Sequence, residues 1–337
     1  MPRRILVCRV NRRLGNTVLL TPLLQSLAAT FPSARVDVLI QGQYNGRLLC
    51  GLPGVDKIIE LPTSPGILLW KIIPLIVSLR WRRYDLAVDP NGHSLSNRVA
   101  MLCAAARYRL GFASPDQCLR LTHAVTVPPE NVHMGLEPLA LLAAISDPAP
   151  TRIEHLAVGM SDSERERASI HLKEAIGSPC QKTIFGFFAH ATGDKELSEH
   201  WWVEWCREVR TLHPEAILVQ IVRPGCEAVS SEVVAIGTEN LRELAAMITQ
   251  FDRFIAADSG PMHLAAACGV PVLGLFKTTP PGLFAPLGPE CGFLNAPLAP
   301  AEAAKALIQL PSARRRQQFH ARDEAIDAWG SDRQVAL

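Results

Sequence analysis

The sequence predicts an α/β protein built from parallel strand–helix–strand units and long enough for two domains. Three observations carry this. Phe254 to Phe276 reads as apolar strand, capped helix and apolar strand. The N-terminus repeats the pattern: Ile5–Cys8, a polar loop, an apolar-faced helix over Thr17–Ala29, and a second strand at Val36–Ile40. The chain has 337 residues and 48% hydrophobic content, enough for two cores of ordinary size.

The unit at 254–276 also carries chemistry. Phe254–Ala257 is a short buried strand. Asp258, Ser259 and Gly260 offer a helix cap, and Pro261 fits the first helical position. Met262–Cys268 contains good helix formers, and Gly269 is placed to close the helix. The helix N-terminus presents free N–H groups and the positive end of a dipole. Gly260 leaves room for a ligand near the backbone, and His263 adds a donor or a positive charge. Such a place suits a phosphate or diphosphate. An ordinary capped crossover helix with a surface histidine fits the same residues.

The run D-S-G-P-M-H-L-A-A-A-C-G-V-P-V-L-G-L-F, from Asp258 to Phe276, resembles the C-terminal signature of glycosyltransferase family 9, the lipopolysaccharide heptosyltransferases. There the pattern is roughly D-[TS]-G-x-M-H-L-A-A-A-x-G-x-P-x-x-x-L-F. The resemblance spans roughly residues 5 to 310. It implies the GT-B fold, two Rossmann-like domains facing across a cleft with the C-terminal one holding the donor. It further implies ADP-L-glycero-D-manno-heptose as donor and a lipid A inner-core saccharide, or a related surface glycan, as acceptor.

Composition narrows the class. A net charge of +2 is no nucleic-acid signature. The nine cysteines are scattered, with no C-x-x-C pair, which points to reduced thiols in a cytoplasmic protein and to no zinc site. The apolar run after Arg4 is too short for a secretory leader, and no run of about 20 apolar residues predicts a spanning helix.

Along the chain, Arg9, Gly15 and Thr21–Leu24 match the family's N-terminal signature. Asn16, however, stands where the family has an aspartate proposed as catalytic base. An amide orients a hydroxyl but cannot deprotonate it. Ile67–Leu79 is strongly apolar and runs into Arg80-Trp-Arg-Arg83. It reads as a core helix with a kink at Pro74, or as an interfacial segment with Trp70 or Trp81 in a lipid headgroup zone. Leu86–Val88 is a buried strand ending in the turn Asp89-Pro-Asn-Gly92. Ligands sit beyond the carboxyl ends of such strands, which makes Asp89 the substitute base, with Asn91 and His93 behind it. Asp before Pro is equally plain turn chemistry. His133 and Glu137 open a helical run, Met134–Ile145.

Proline near 147–150 separates the halves, and the expected domains are residues 1–165 on the acceptor side and 166–337 on the donor side. In the second half, His190-Ala-Thr-Gly-Asp-Lys195 follows the strand Thr183–Phe188 and resembles the H-A-T…K segment of heptosyltransferase I. By that resemblance Thr192 and Lys195 contact the donor diphosphate, beside Asp258, Ser259, Gly260, Met262 and His263. A helix end, Lys195 and His263 then neutralise the departing diphosphate, so no metal or other cofactor is required. Thr278-Thr-Pro-Pro281 matches a further family loop. The rival to an enzyme is a non-catalytic sugar-nucleotide-binding homologue, for which Asn16 is the whole case. Peripheral contact with the inner face of a membrane is expected if the acceptor is lipid-anchored.

Overall fold

The computed structural model describes residues 1–42, 46–61, 68–92, 94–113, 121–128, 132–146, 150–177, 182–223, 225–288 and 290–313. His93, the side chain of Trp70 and everything from residue 314 onward lie outside the described residues.

Twelve strands among the described residues form two parallel six-stranded sheets. The first holds β1 (Arg4–Arg9), β2 (Arg35–Gln41), β3 (Val55–Leu61), β4 (Leu86–Asp89), β5 (Tyr108–Phe112) and β6 (His123–Val125) in the order β3-β2-β1-β4-β5-β6. The second holds β7 (Ile184–Phe188), β8 (Ile217–Ile221), β9 (Val234–Ile236), β10 (Arg253–Ala257), β11 (Val272–Phe276) and β12 (Gly292–Asn295) in the order β12-β11-β10-β7-β8-β9. Counted within its own unit, each sheet has the doubly wound Rossmann order. The order reverses between β1 and β4 and between β7 and β10, so each unit has its crevice beyond the carboxyl ends of those strands.

The central strands are apolar on both faces because helices cover both. Ten helices lie among the described residues: α1 (Leu14–Val18), α2 (Thr21–Thr30), α3 (Leu68–Trp81), α4 (Leu95–Ala104), α5 (Asp162–Ile176), α6 (Glu199–Leu212), α7 (Leu241–Ile248), α8 (Gly260–Ala267), α9 (Pro281–Phe284) and α10 (Pro300–Gln309). Helix α2 and a 3-10 segment at Glu137–Ala144 pack on one face of the first sheet, and α3 and α4 on the other. In the second unit α7 and α8 cover one face, and α6 and α10 the other. Helix α5 opens with a full capping box at Ser161 and Glu164 and packs on α7.

Two expectations change. The helix expected over Thr17–Ala29 is two helices, and Asn16 sits inside α1 rather than in a loop. The chain breaks at Leu19–Leu20, where Pro22 fits the first turn of a new helix. The helical run at Met134–Ile145 is confined to the 3-10 segment at Glu137–Ala144.

The two units are tied at several points. The Arg242 guanidinium on α7 holds both oxygens of Glu164 at 2.6 and 2.7 Å. It also donates to the carbonyls of Arg47, Cys50 and Gly159. The Gly51 and Gly159 backbones touch so closely that a Cβ on Gly159 would lie 2.2 Å from the Gly51 carbonyl carbon. His133 accepts from the Gly135 N–H at Nδ1, so its Nε2 carries the proton and donates to the Ala285 carbonyl at 2.8 Å.

Candidate active site

The turns after β7 and β10 and the first turn of α8 face α1 across a cavity of about 880 Å³. Asn16, Thr192, Lys195, Asp258, Ser259, Gly260 and His263 all line it. The fold therefore gathers residues up to 247 positions apart in sequence (Asn16 to His263) at the two crevices.

On the second unit's wall, Lys195 ends a 3-10 turn whose N-cap is Thr192, and Gly193 takes a positive φ of 65° there. Its Nζ donates to Asp258 Oδ2 at 2.9 Å, and the Thr279 hydroxyl donates to the same oxygen at 2.9 Å. Asp258 is thus a buried anchor for the lysine, at the carboxyl end of β10. Ser259 is the N-cap of α8, yet its hydroxyl makes no cap hydrogen bond. The Ser259 Oγ is buried without a partner, and the first-turn amides are left untaken by it.

His263 is almost fully buried, with Nε2 3.9 Å from Asp258 Oδ1. Burial pushes its pKa down to about 4, against the pull of Asp258. The imidazole is therefore neutral at physiological pH. Its Nδ1 is buried without a partner. The tautomer with hydrogen on Nε2 leaves only an unfilled acceptor inside and turns the donor toward Asp258 and the cavity.

The lining carries Arg13, Lys195 and Arg223 against a single carboxylate, Asp258, already paired. A cavity with that balance attracts anions. Thr279, Arg13 and Arg223 were not singled out from the sequence. Thr279 lies in the T-T-P-P loop that resembles a family loop, while for Arg13 and Arg223 position after a strand was the only signal.

Two expected donor-side residues behave differently. The Met262 side chain is buried in the core against Gly274 and does not line the cavity. The space over Gly260 is occupied by the first unit: a Cβ there would meet Leu14 Cβ at 2.9 Å. Its partner glycine, Gly15, lies so close to His263 that a Cβ would sit 3.2 Å from the ring. The close approach that demands glycine is thus helix α1 on helix α8.

The structure does not bring Asp89 to the cavity. The residue is fully buried. Oδ2 is 2.6 Å from Arg98 Nε, with both side chains essentially inaccessible. Oδ1 accepts from Asn97 Nδ2 at 2.8 Å and from the Asn91 N–H at 3.0 Å. Burial pushes the carboxyl up while Asn97, Asn91 and Arg98 pull it back. Asn97 Oδ1 in turn accepts from the Val10 N–H at 2.8 Å, which fixes the chain leaving β1. Asp89 is a support for the loop toward Asn16, out of reach of a substrate hydroxyl.

Comparison with known proteins agrees with this geometry. The pattern of glycosyltransferase family 9 (heptosyltransferase) matches residues 72–306. The chain belongs to glycosyltransferase family 9. Lipopolysaccharide heptosyltransferase 3 of Escherichia coli K12 is 25% identical over 285 residues, covering 79% of this chain and 80% of the relative. The structure of E. coli ADP-heptose lps heptosyltransferase II superposes with a TM-score of 0.72 at 17% identity, covering 90% of this chain and 97% of that one. E. coli heptosyltransferase WaaC with ADP gives 0.65 at 15% identity, covering 95% and 99%. This family 9 protein is accordingly a GT-B glycosyltransferase, and these relatives carry enzyme names. Nothing among them favours a non-catalytic binding protein.

Proposed function

We propose that this family 9 enzyme transfers heptose from ADP-heptose to a lipid-anchored core saccharide, with inversion at the anomeric carbon. Residues 1–165 serve the acceptor and residues 166–337 the donor. The observation that carries the reading is the α8 end of the cavity. Lys195, the unpartnered Ser259 hydroxyl and neutral His263 line the same cavity there. Lys195 and Thr192 hold the diphosphate, α8 points its amides at it, and His263 donates from Nε2. Charge that develops as the C1–O bond breaks is met by these fixed groups, and no metal is needed. Asn16 faces them from α1 and orients the acceptor hydroxyl. Relatives are named for ADP-heptose, which favours that donor over other nucleotide sugars.

The experiment is turnover. The protein is incubated with a panel of nucleotide sugars and extracted core acceptors, in EDTA, and released nucleoside diphosphate is measured. ADP released only with ADP-heptose and a core acceptor is the expected result. No release with any pair, or release only on adding a divalent metal, would overturn the proposal.

A further inference from the structure

We propose that the outer face of helices α3 and α4 is a docking surface for an anionic lipid bilayer. The inference rests on the reading that the acceptor is lipid-anchored and deepens it by naming the surface.

The two helices cover the same face of the first sheet: Leu79 on α3 and Ala100, Met101 and Ala104 on α4 share one core cluster. Arg80 ties them, donating from Nε to the Cys103 carbonyl. With their inner faces spent on the core, the opposite faces should be polar in a freely soluble layer. They are not. On α3, Ile73, Val77 and Trp81 stand at four-residue intervals and are 62%, 47% and 83% exposed. On α4, Leu95 and Val99 repeat the spacing at 60% and 46%. Spacing by four puts each set on one stripe. Five large apolar side chains thus stand exposed on one two-helix layer, a concentration of the kind that marks an interaction site.

The charge around the patch chooses the occupant. Neither helix contains an acidic residue. Between Glu60 and Asp116 the sequence has seven basic residues and two acidic ones, Asp85 and Asp89. Asp89 is buried against Arg98, and Asp85 accepts from the backbone amides of Arg3 and Arg4. Trp81 lies in a shallow depression that it shares with Arg3, Arg4, Arg82, Arg83 and Asp85. The depression thus has four basic groups against one carboxylate, with Arg82 paired to Asp37 and Arg3, Arg4 and Arg83 not engaged by Asp37. An indole between guanidinium groups, at the end of an apolar stripe, fits the headgroup zone of a bilayer with anionic lipids. A second copy of the same face would set these arginines against one another. The patch belongs to the unit carrying Asn16, the acceptor side.

The test is sedimentation with vesicles of phosphatidylethanolamine and phosphatidylglycerol, compared with pure phosphatidylcholine. Binding to the anionic vesicles only is expected. Val77→Glu should lower the partition more than tenfold. Arg83→Gln should lower it about fivefold, as one lost basic contact. Trp81 fluorescence should shift to the blue on binding. All these residues are exposed, so unchanged melting temperatures will show that the variants fold. ADP release with a delipidated acceptor should be unaffected by either substitution. That assay separates failed docking from a failed transferase reading. Equal binding of parent and Val77→Glu would overturn the proposal. So would a dimer that Val77→Glu dissociates, because the face would then be occupied by a second copy.

Discussion

Replacing Lys195 with alanine tests the proposed donor site. In the structure its ammonium is held 2.9 Å from Asp258, at the rim of the cavity. The substitution removes one charged hydrogen bond to the diphosphate. It also leaves the Asp258 carboxylate, still hydrogen-bonded by Thr279 but without its cation, facing a dianion. A charge-assisted bond of this kind contributes about 1.5–3 kcal/mol, or roughly 10- to 150-fold in Kd. Lys195 is 28% exposed, so water screens it and the lower half of the range is expected. Titration calorimetry with ADP should show that loss, while acceptor affinity measured in parallel stays within about twofold. Folding stability should change by less than about 1 kcal/mol, since rim ion pairs contribute little. ADP affinity unchanged from the parent would refute the argument that this wall holds the diphosphate.

Asp89→Ala strands Arg98 as an unpaired buried charge and should cost about 3–5 kcal/mol of stability, measured by chemical denaturation. A fully stable variant with lost turnover would point back to a catalytic carboxylate. Asn16→Asp restores the group expected at that position and should keep or raise kcat; a parent with no turnover and an active Asn16→Asp would mark an enzyme that has lost its base. The third prediction concerns pH. His263 is neutral when buried, with its pKa pushed from 6.5 to about 4, so the unfolded chain binds the proton more readily between those values. Stability therefore falls as pH drops through that window, by roughly 3 kcal/mol in all. In His263→Gln the fall in melting temperature between pH 7 and pH 4 should be visibly smaller.

The sequence by itself determined the class of fold and the strand ends that wall the cavity. Strand-length apolar runs alternating with capped helices leave few arrangements besides parallel crossovers, and the switch-point rule then puts Thr192, Lys195 and Asp258–His263 beyond strand ends. Those inferences are local, and their physics acts within about 20 residues. What the tertiary structure decided is nonlocal. The β4 turn of Asp89 reads like a cleft carboxylate, but Arg98, nine residues on, reaches back and seals it. Gly260 reads as a ligand gap, yet Leu14 fills it from the other unit. The apolar run at α3 was legible as a core helix or as an interfacial segment; packing on the first sheet put Leu79 inward and left Ile73, Val77 and Trp81 exposed. Spacing along the chain fixes which residues share a helix face. Which face meets a sheet, a partner helix or solvent is set by contacts between segments that the chain brings together only on folding.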